Sequence, residues 1–112
     1  MSKRSPLLLL EDILRSCEKI QEYTQNLSFE QFEENELIID AVIRNFEIIG
    51  EATNRLPDEF RVAHTQIDWH RMRGFRNRIV HEYFGVDLTI LWTIKTQNIS
   101  VLASQIKLIL ED

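Results

Sequence analysis

Apolar residues recur at spacings of three and four along almost the whole chain, which constrains the fold more than any other feature. Leu10, Ile13, Leu14, Cys17, Ile20 and Leu27 form the first stripe. Ser5-Pro6 ahead of it reads as an N-cap and first helical position, and the stripe fades near Asn26. Ser28, with Gln31 three residues on, fits a capping box that restarts the helix. One short turn then leads into a long helix to about Arg55. Ile38, Ile39, Val42, Ile43, Phe46, Ile49 and Ala52 cover most of its circumference, so it is expected to be the most buried helix. Pro57 ends it. Pro57 to Ile67 reads as a connector with one helical turn at Asp58 to Val62. Asp68 is expected to cap a third long helix through Tyr83, closed by Gly85. Asp87 is expected to cap the last helix, from Leu88 to the end. Its stripe is Leu88, Trp92, Ile99, Leu102, Ile106 and Ile109, with Lys95 the one polar entry.

With 3 Gly and 2 Pro, the chain has too few turn signals for a sandwich or barrel, and no segment alternates as a strand would. The expectation is an all-α, up-and-down bundle of four to five helices, with residues 1–112 as a single domain. A chain of this length buries roughly 65% of its unfolded surface, enough for one core.

Several functions are excluded at this point. Lys3 and Arg4 precede an apolar run, Leu7 to Leu10, that soon meets Glu11 and Asp12. That run is far shorter than the ~7–15 residues of a signal core or the ~20 of a membrane span, so the expected location is the cytoplasm, without membrane contact. Cys17 has no partner for a disulfide and reads as a small buried hydrophobe. His64, His70 and His81 lack metal-ligand spacing, and Gly50, Gly74 and Gly85 are too isolated for a phosphate loop. No cofactor is expected. Trp69 and Trp92 read as core residues. Gly74, inside a helix at about 1 kcal/mol relative to alanine, suggests the close approach of another helix.

The net charge of −5 is unevenly spread. Residues 1–60 carry six Lys/Arg against thirteen Asp/Glu, and residues 61–112 seven against five. Arg71, Arg73, Arg76 and Arg78 fall within eight residues, with His70 beside them and no acid between. Such a cluster binds one or two phosphates through guanidinium forks, or it is a solvated face paired with acids of the second helix. That second helix carries a polar stripe at Asp40, Arg44, Glu47, Glu51 and Arg55. It is either solvated or borders the arginine-rich helix and orients its side chains, with Arg44 and Glu51 as the orienting candidates.

The stretch Arg76-Asn77-Arg78-Ile79-Val80-His81-Glu82-Tyr83 concentrates the chemistry. On an ideal helix Arg76 and Tyr83 share a face, Asn77 and His81 share another, and Arg78 pairs with Glu82. Arg76 and His81 stand about 140° apart around the axis and converge poorly. They could meet if the helix loosens near His81, or if two copies face each other across a two-fold axis. Histidine can move a proton on and off a ribose hydroxyl, and arginine can stabilise the charge of a phosphorane. The bland reading is a structural histidine and an interface ion pair in a helical dimer.

The Arg-x4-His-x-Tyr pattern of Arg76 to Tyr83 resembles the motif of HEPN-domain ribonucleases, in particular the HepT-like toxins. Ala41 to Ala52 followed by Leu56-Pro57 is typical of that family, as is Trp69 to Phe84 with Met72-Arg73-Gly74-Phe75-Arg76-Asn77. Together these blocks cover most of residues 37–90. The resemblance implies an all-helical homodimer with the motif helices at its interface. It implies a metal-independent endoribonuclease toxin acting on cellular RNA, tRNA or mRNA. Arg76 and His81 would be the catalytic pair, Asn77 an orienting residue, and Arg73 and Arg78 phosphate contacts. It further implies a minimal nucleotidyltransferase antitoxin that transfers AMP from ATP onto Tyr83. The alternative is a non-catalytic subunit that binds nucleotide or docks that transferase.

Overall fold

The computed structural model describes residues 4–81 and 85–111, with His81 described by its backbone. Helices dominate: α1 (Pro6–Thr24), α2 (Phe29–Glu33), α3 (Glu36–Arg55), α4 (Asp58–Ala63), α5 (Trp69–Ile79), α6 (Leu88–Ile94) and α7 (Ser100–Glu111). A single π turn, Lys95–Ile99, joins α6 to α7 without a break. Among the described residues this amounts to six helices, four of them long, as the three-four repeat requires.

The starts are set by side-chain caps. Ser5 Oγ accepts from the Leu8 amide at 3.3 Å, with Pro6 in the first turn. Ser28 and Gln31 form the expected reciprocal box at 3.1 and 2.9 Å. The carboxylates of Asp68 and Asp87 accept from Arg71 and Ile90 amides, each at 3.0 Å. Each such cap contributes about 1 kcal/mol. The first stripe fades where expected, because Asn26 turns the chain at φ 63°.

Helices α1, α3, α5 and the α6–α7 unit pack as a closed ring, α1 on α3, α3 on α5, α5 on α6 and α7 on α1. Buried Leu10, Ile13, Cys17, Val42, Phe46, Ile49, Phe75, Ile79, Leu91 and Ile106 fill it. Phe46 and Phe75 meet edge to face at 5.6 Å, tying α3 to the arginine-rich helix. Among the described residues no helix is long and apolar enough to cross a membrane.

Three expectations are corrected. The third long helix does not reach Tyr83. It ends at Ile79, and Val80 adopts extended backbone (φ −106°, ψ 117°). Val80–His81 (β1) pairs antiparallel with Gly85–Val86 (β2), Val80 opposite Val86 and His81 opposite Gly85. The Asp87 amide, just after β2, donates to the Ile79 carbonyl at 2.7 Å, so one of the carbonyls left free at the helix end is satisfied there. Adjacent β-branched Ile79 and Val80 favour that exit, and Gly85 takes the φ of +76° that the return requires. The last helix is not regular either. Core positions Ile94 and Ile99 are five residues apart, one more than a helical turn allows, and the π turn absorbs the surplus. Lys95 therefore leaves the core stripe and lies over the Trp92 ring at 4.3 Å. Trp92 is half-buried beside Phe29 and Phe32, whereas Trp69 is buried. Finally, Gly74 marks no close helix approach among the described residues, since a methyl group there meets none of them within 4 Å. The approach is at Gly50, whose added Cβ would stand 3.8 Å from the Arg73 carbonyl.

Cys17 is fully buried, and desolvation, helped by Glu18, pushes its thiol from 9.0 up to about 12. The neutral thiol thus favours the fold fully below pH 9, and this contribution fades as pH rises toward 12. Native protein should react negligibly with a disulfide reagent at pH 8 and stoichiometrically once urea unfolds it; rapid native labelling would refute the burial.

Candidate active site

Helix α5 is rotated by its inner face. Trp69, Met72, Phe75 and Ile79 occupy core positions at spacings of three, three and four. The Trp69 indole donates to the carbonyls of Arg61 (3.2 Å) and His64 (3.0 Å), which fixes the start of α5 against the end of α4. With that face buried, His70, Arg71, Arg73, Arg76, Asn77 and Arg78 are all left exposed. The basic residues near the C-terminus also suit the negative end of the helix dipole.

The acidic stripe of α3 does border α5, as one of the two readings expected. Arg76 Nε lies 3.5 Å from Glu47 Oε2. Glu47 is half-buried, and Gly50, one turn along α3, lets the two backbones come close. Arg44 and Glu51 pair with each other at 3.5 Å. Glu47 is therefore the acid that touches the arginine. Its place three residues before the glycine of closest approach is the signal that distinguishes it within the stripe. An exposed pair of this kind adds only about 0–1 kcal/mol to stability, so its effect is to aim the guanidinium rather than to hold the fold. The contact is made at Nε, and the two terminal amino groups lie beyond it at the tip of the fork.

Among the described residues, Arg73 and Arg78 make no ion pair, and Arg71 has Asp68 at 3.7 Å. A strip of cations thus stands on a chain whose net charge is −5.

The hairpin changes the relation of His81 to its neighbours. Residues 80 and 81 are extended, so His81 is carried past the end of α5 at about 3.3 Å per residue instead of 1.5 Å. The 140° separation from Arg76 on an ideal helix no longer applies. Neither does the helical i, i+4 contact between Asn77 and His81, and Asn77 is exposed without a side-chain hydrogen bond among the described residues. The sharing of a face by Arg76 and Tyr83 and the pairing of Arg78 with Glu82 fall on Glu82 and Tyr83, outside the described residues. No group of three or more potential metal ligands occurs among the described residues.

The family described as ribonuclease HepT-like matches residues 13–109, which takes in α3, α5 and the hairpin. The chain belongs to the HepT-like ribonuclease family. A protein of Caldanaerobacter subterraneus named as an RNase is 40% identical over 96% of this chain and 96% of its own. One of Methanocaldococcus jannaschii, also named as an RNase, is 36% identical over 97% of this chain and all of its own length. One of Thermococcus cleftensis, named as a ribonuclease HepT, is 44% identical over 83% and 86%. These activity names are provisional assignments. No solved structure is significantly similar. Within the HepT-like frame, the Arg-x4-His spacing of this chain spans a helix end rather than a helix interior: Arg76 on the last turns of α5, His81 on β1.

Proposed function

We propose that the chain is an endoribonuclease toxin that cleaves cellular RNA without a metal, acting as a homodimer with Arg76 and His81 as its catalytic groups. The observation that carries this reading is Arg76, exposed and aimed by Glu47, one turn before the chain leaves α5 for the extended segment that holds His81. Family membership supports the ribonuclease chemistry.

The chemistry follows from those groups. A neutral imidazole removes the ribose 2′-hydroxyl proton, and the 2′-oxygen attacks the adjacent phosphorus. Negative charge builds on the non-bridging oxygens, where the Arg76 guanidinium is available to neutralise it. The 5′-oxygen leaves with a proton from a second imidazole, which His81 of another copy would supply. The products are a 2′,3′-cyclic phosphate and a free 5′-hydroxyl. Arg73 and Arg78 hold flanking phosphates, with Asn77, Arg44 and Glu51 in the surrounding polar shell.

Regulation in this reading is by a nucleotidyltransferase antitoxin that places AMP on Tyr83. A bulky anion two residues from His81 would fill the phosphate site and repel RNA. A mass increase of one adenylate on the Tyr83 peptide after co-expression with such a partner tests that part. The RNase reading is tested by incubating the purified chain with cellular RNA in excess EDTA and mapping the ends. Cleavage with 2′,3′-cyclic termini is expected. Intact RNA, or cleavage restored only by a divalent ion, would sink it.

Glu47→Ala should raise KM and lower kcat, with kcat/KM falling about 10–100-fold, and Glu47→Gln should recover part of it. The melting temperature should stay within a degree or two, because the ion pair is exposed. A large loss of stability with activity per folded molecule unchanged would make Glu47 merely structural.

A further inference from the structure

On the flank of α5 away from Glu47 the helix borders a cleft of about 180 Å³ that the cleavage chemistry does not use. That volume is more than ten times what one water molecule needs, so the space suits a ring system. Met72, Phe75 and Leu102 form its apolar floor. Around them stand Asp68 and Arg71 from the start of α5, Gln97 and Asn98 from the π turn, and Gln105 from α7. Gln105 is already committed, donating to the Gln66 carbonyl at 2.8 Å. Gln97 and Asn98 make no side-chain hydrogen bond among the described residues. Their amides exist at the rim because the π turn shifts the register: Ile99 takes the core position, and half-buried Asn98 moves to the cleft edge.

The composition of the rim narrows the occupant. Asp68 and Arg71 lie 3.7 Å apart and largely cancel, so the cleft offers little to a free anion. Two unused amides over an apolar floor instead match a flat heterocycle with donors and acceptors on its edge. Amides of Asn and Gln pair in two places with adenine, and unpaired bases of RNA are commonly read this way. Arg71 and Arg78 are seven residues apart and so share one side of α5, about 10 Å along its axis. A strand seated by Arg78 near the hairpin would pass Arg71 at the cleft.

We propose that this cleft holds one unpaired nucleobase of the RNA, preferably adenine, displaced along α5 from the cleavage position. This rests on the ribonuclease reading for its ligand. The test uses the full chain and short 2′-O-methyl oligonucleotides, which cannot be cut because the attacking hydroxyl is blocked. Side-chain amide signals of Gln97 and Asn98 are followed by NMR with an oligoadenylate, an oligouridylate, an abasic strand of equal length, and AMP.

The amides should shift with oligoadenylate and not with the abasic strand, and affinity should exceed that for oligouridylate about tenfold. Gln97→Ala, at an exposed position that leaves the turn intact, should remove most of that preference. In cleavage of unmodified RNA it should raise KM with kcat nearly unchanged. Silent amides while the Arg73 and Arg76 signals move would overturn the base site but leave the ribonuclease reading standing. Equal shifts with the abasic strand would also overturn it, since phosphate alone would then explain them. Shifts with AMP but not with the oligoadenylate would assign the cleft to a free nucleotide and refute the RNA base. No oligonucleotide bound anywhere, together with no cleavage, would remove the ribonuclease reading and this proposal together.

Discussion

Arg76→Ala and His81→Ala should each reduce RNA cleavage about 10²–10⁴-fold, the range expected for loss of a proton-transfer group or an oxyanion donor. Expression of the unaltered chain should arrest growth and fragment RNA, and expression of either variant should do neither. Arg76 is exposed and its ion pair with Glu47 is weak, so Arg76→Ala should melt within a few degrees of the parent. Arg76→Lys gives a sharper test. Lysine keeps the charge but presents a point rather than a fork, and it has no Nε–H for Glu47 to hold. It should recover little of the activity. Because the proposed chemistry takes one imidazole from each of two copies, mixing the two alanine variants should restore little activity, since their heterodimer holds a single His81. If the unaltered chain and both variants behave alike, Arg76 and His81 are interface residues and the ribonuclease assignment fails.

Phe75→Ala should destabilise the fold by about 3–5 kcal/mol, the usual loss for a buried aromatic ring. The ring is 1% exposed, packs edge to face on Phe46, and forms part of the floor of the cleft beside α7. A domain of this size has about 5–15 kcal/mol in total, so the substitution removes a large fraction. The melting temperature should fall by something on the order of 20 °C. Urea titration should show a lower midpoint with an unchanged slope. A loss below about 1 kcal/mol would mean that the core relaxes around the gap and that α5 is not held by this contact. The same helix that carries the cations is thus anchored by one face of large apolar side chains, so substitutions of Phe75 and of the exposed Arg76 should separate by stability.

Most of the helical framework was legible because its signals are local. The Ser5, Ser28, Asp68 and Asp87 caps all form, and the Ile39–Val42–Phe46–Ile49 face of α3 is buried as its spacing requires. The end of α5 was not legible, because Asn77 to Tyr83 continue a plausible helical pattern while Ile79 and Val80 favour extended backbone. Pairing with Gly85 and Val86, a contact between separate segments, decides it. The polar stripe on α3 was visible, but which acid in it meets Arg76 depends on the closeness of α3 and α5 at Gly50. Gly74 shows the same limit of local signals: a helical glycine points to proximity without naming the neighbour, and within the chain the helix contact it suggests is made at Gly50 instead.

The π turn at Lys95–Ile99 has a consequence for the chain's history of length. It is the form that one inserted residue takes when the helix on either side must keep its facing. Losing one residue between Ile94 and Ile99 would return the segment to regular α-helix and leave Leu91 and Leu102 pointing into the same core. The bundle therefore contains one joint where a single codon can be gained or lost at little structural cost. What would disappear with that codon is not the core but the half-buried amide of Asn98 at the cleft rim.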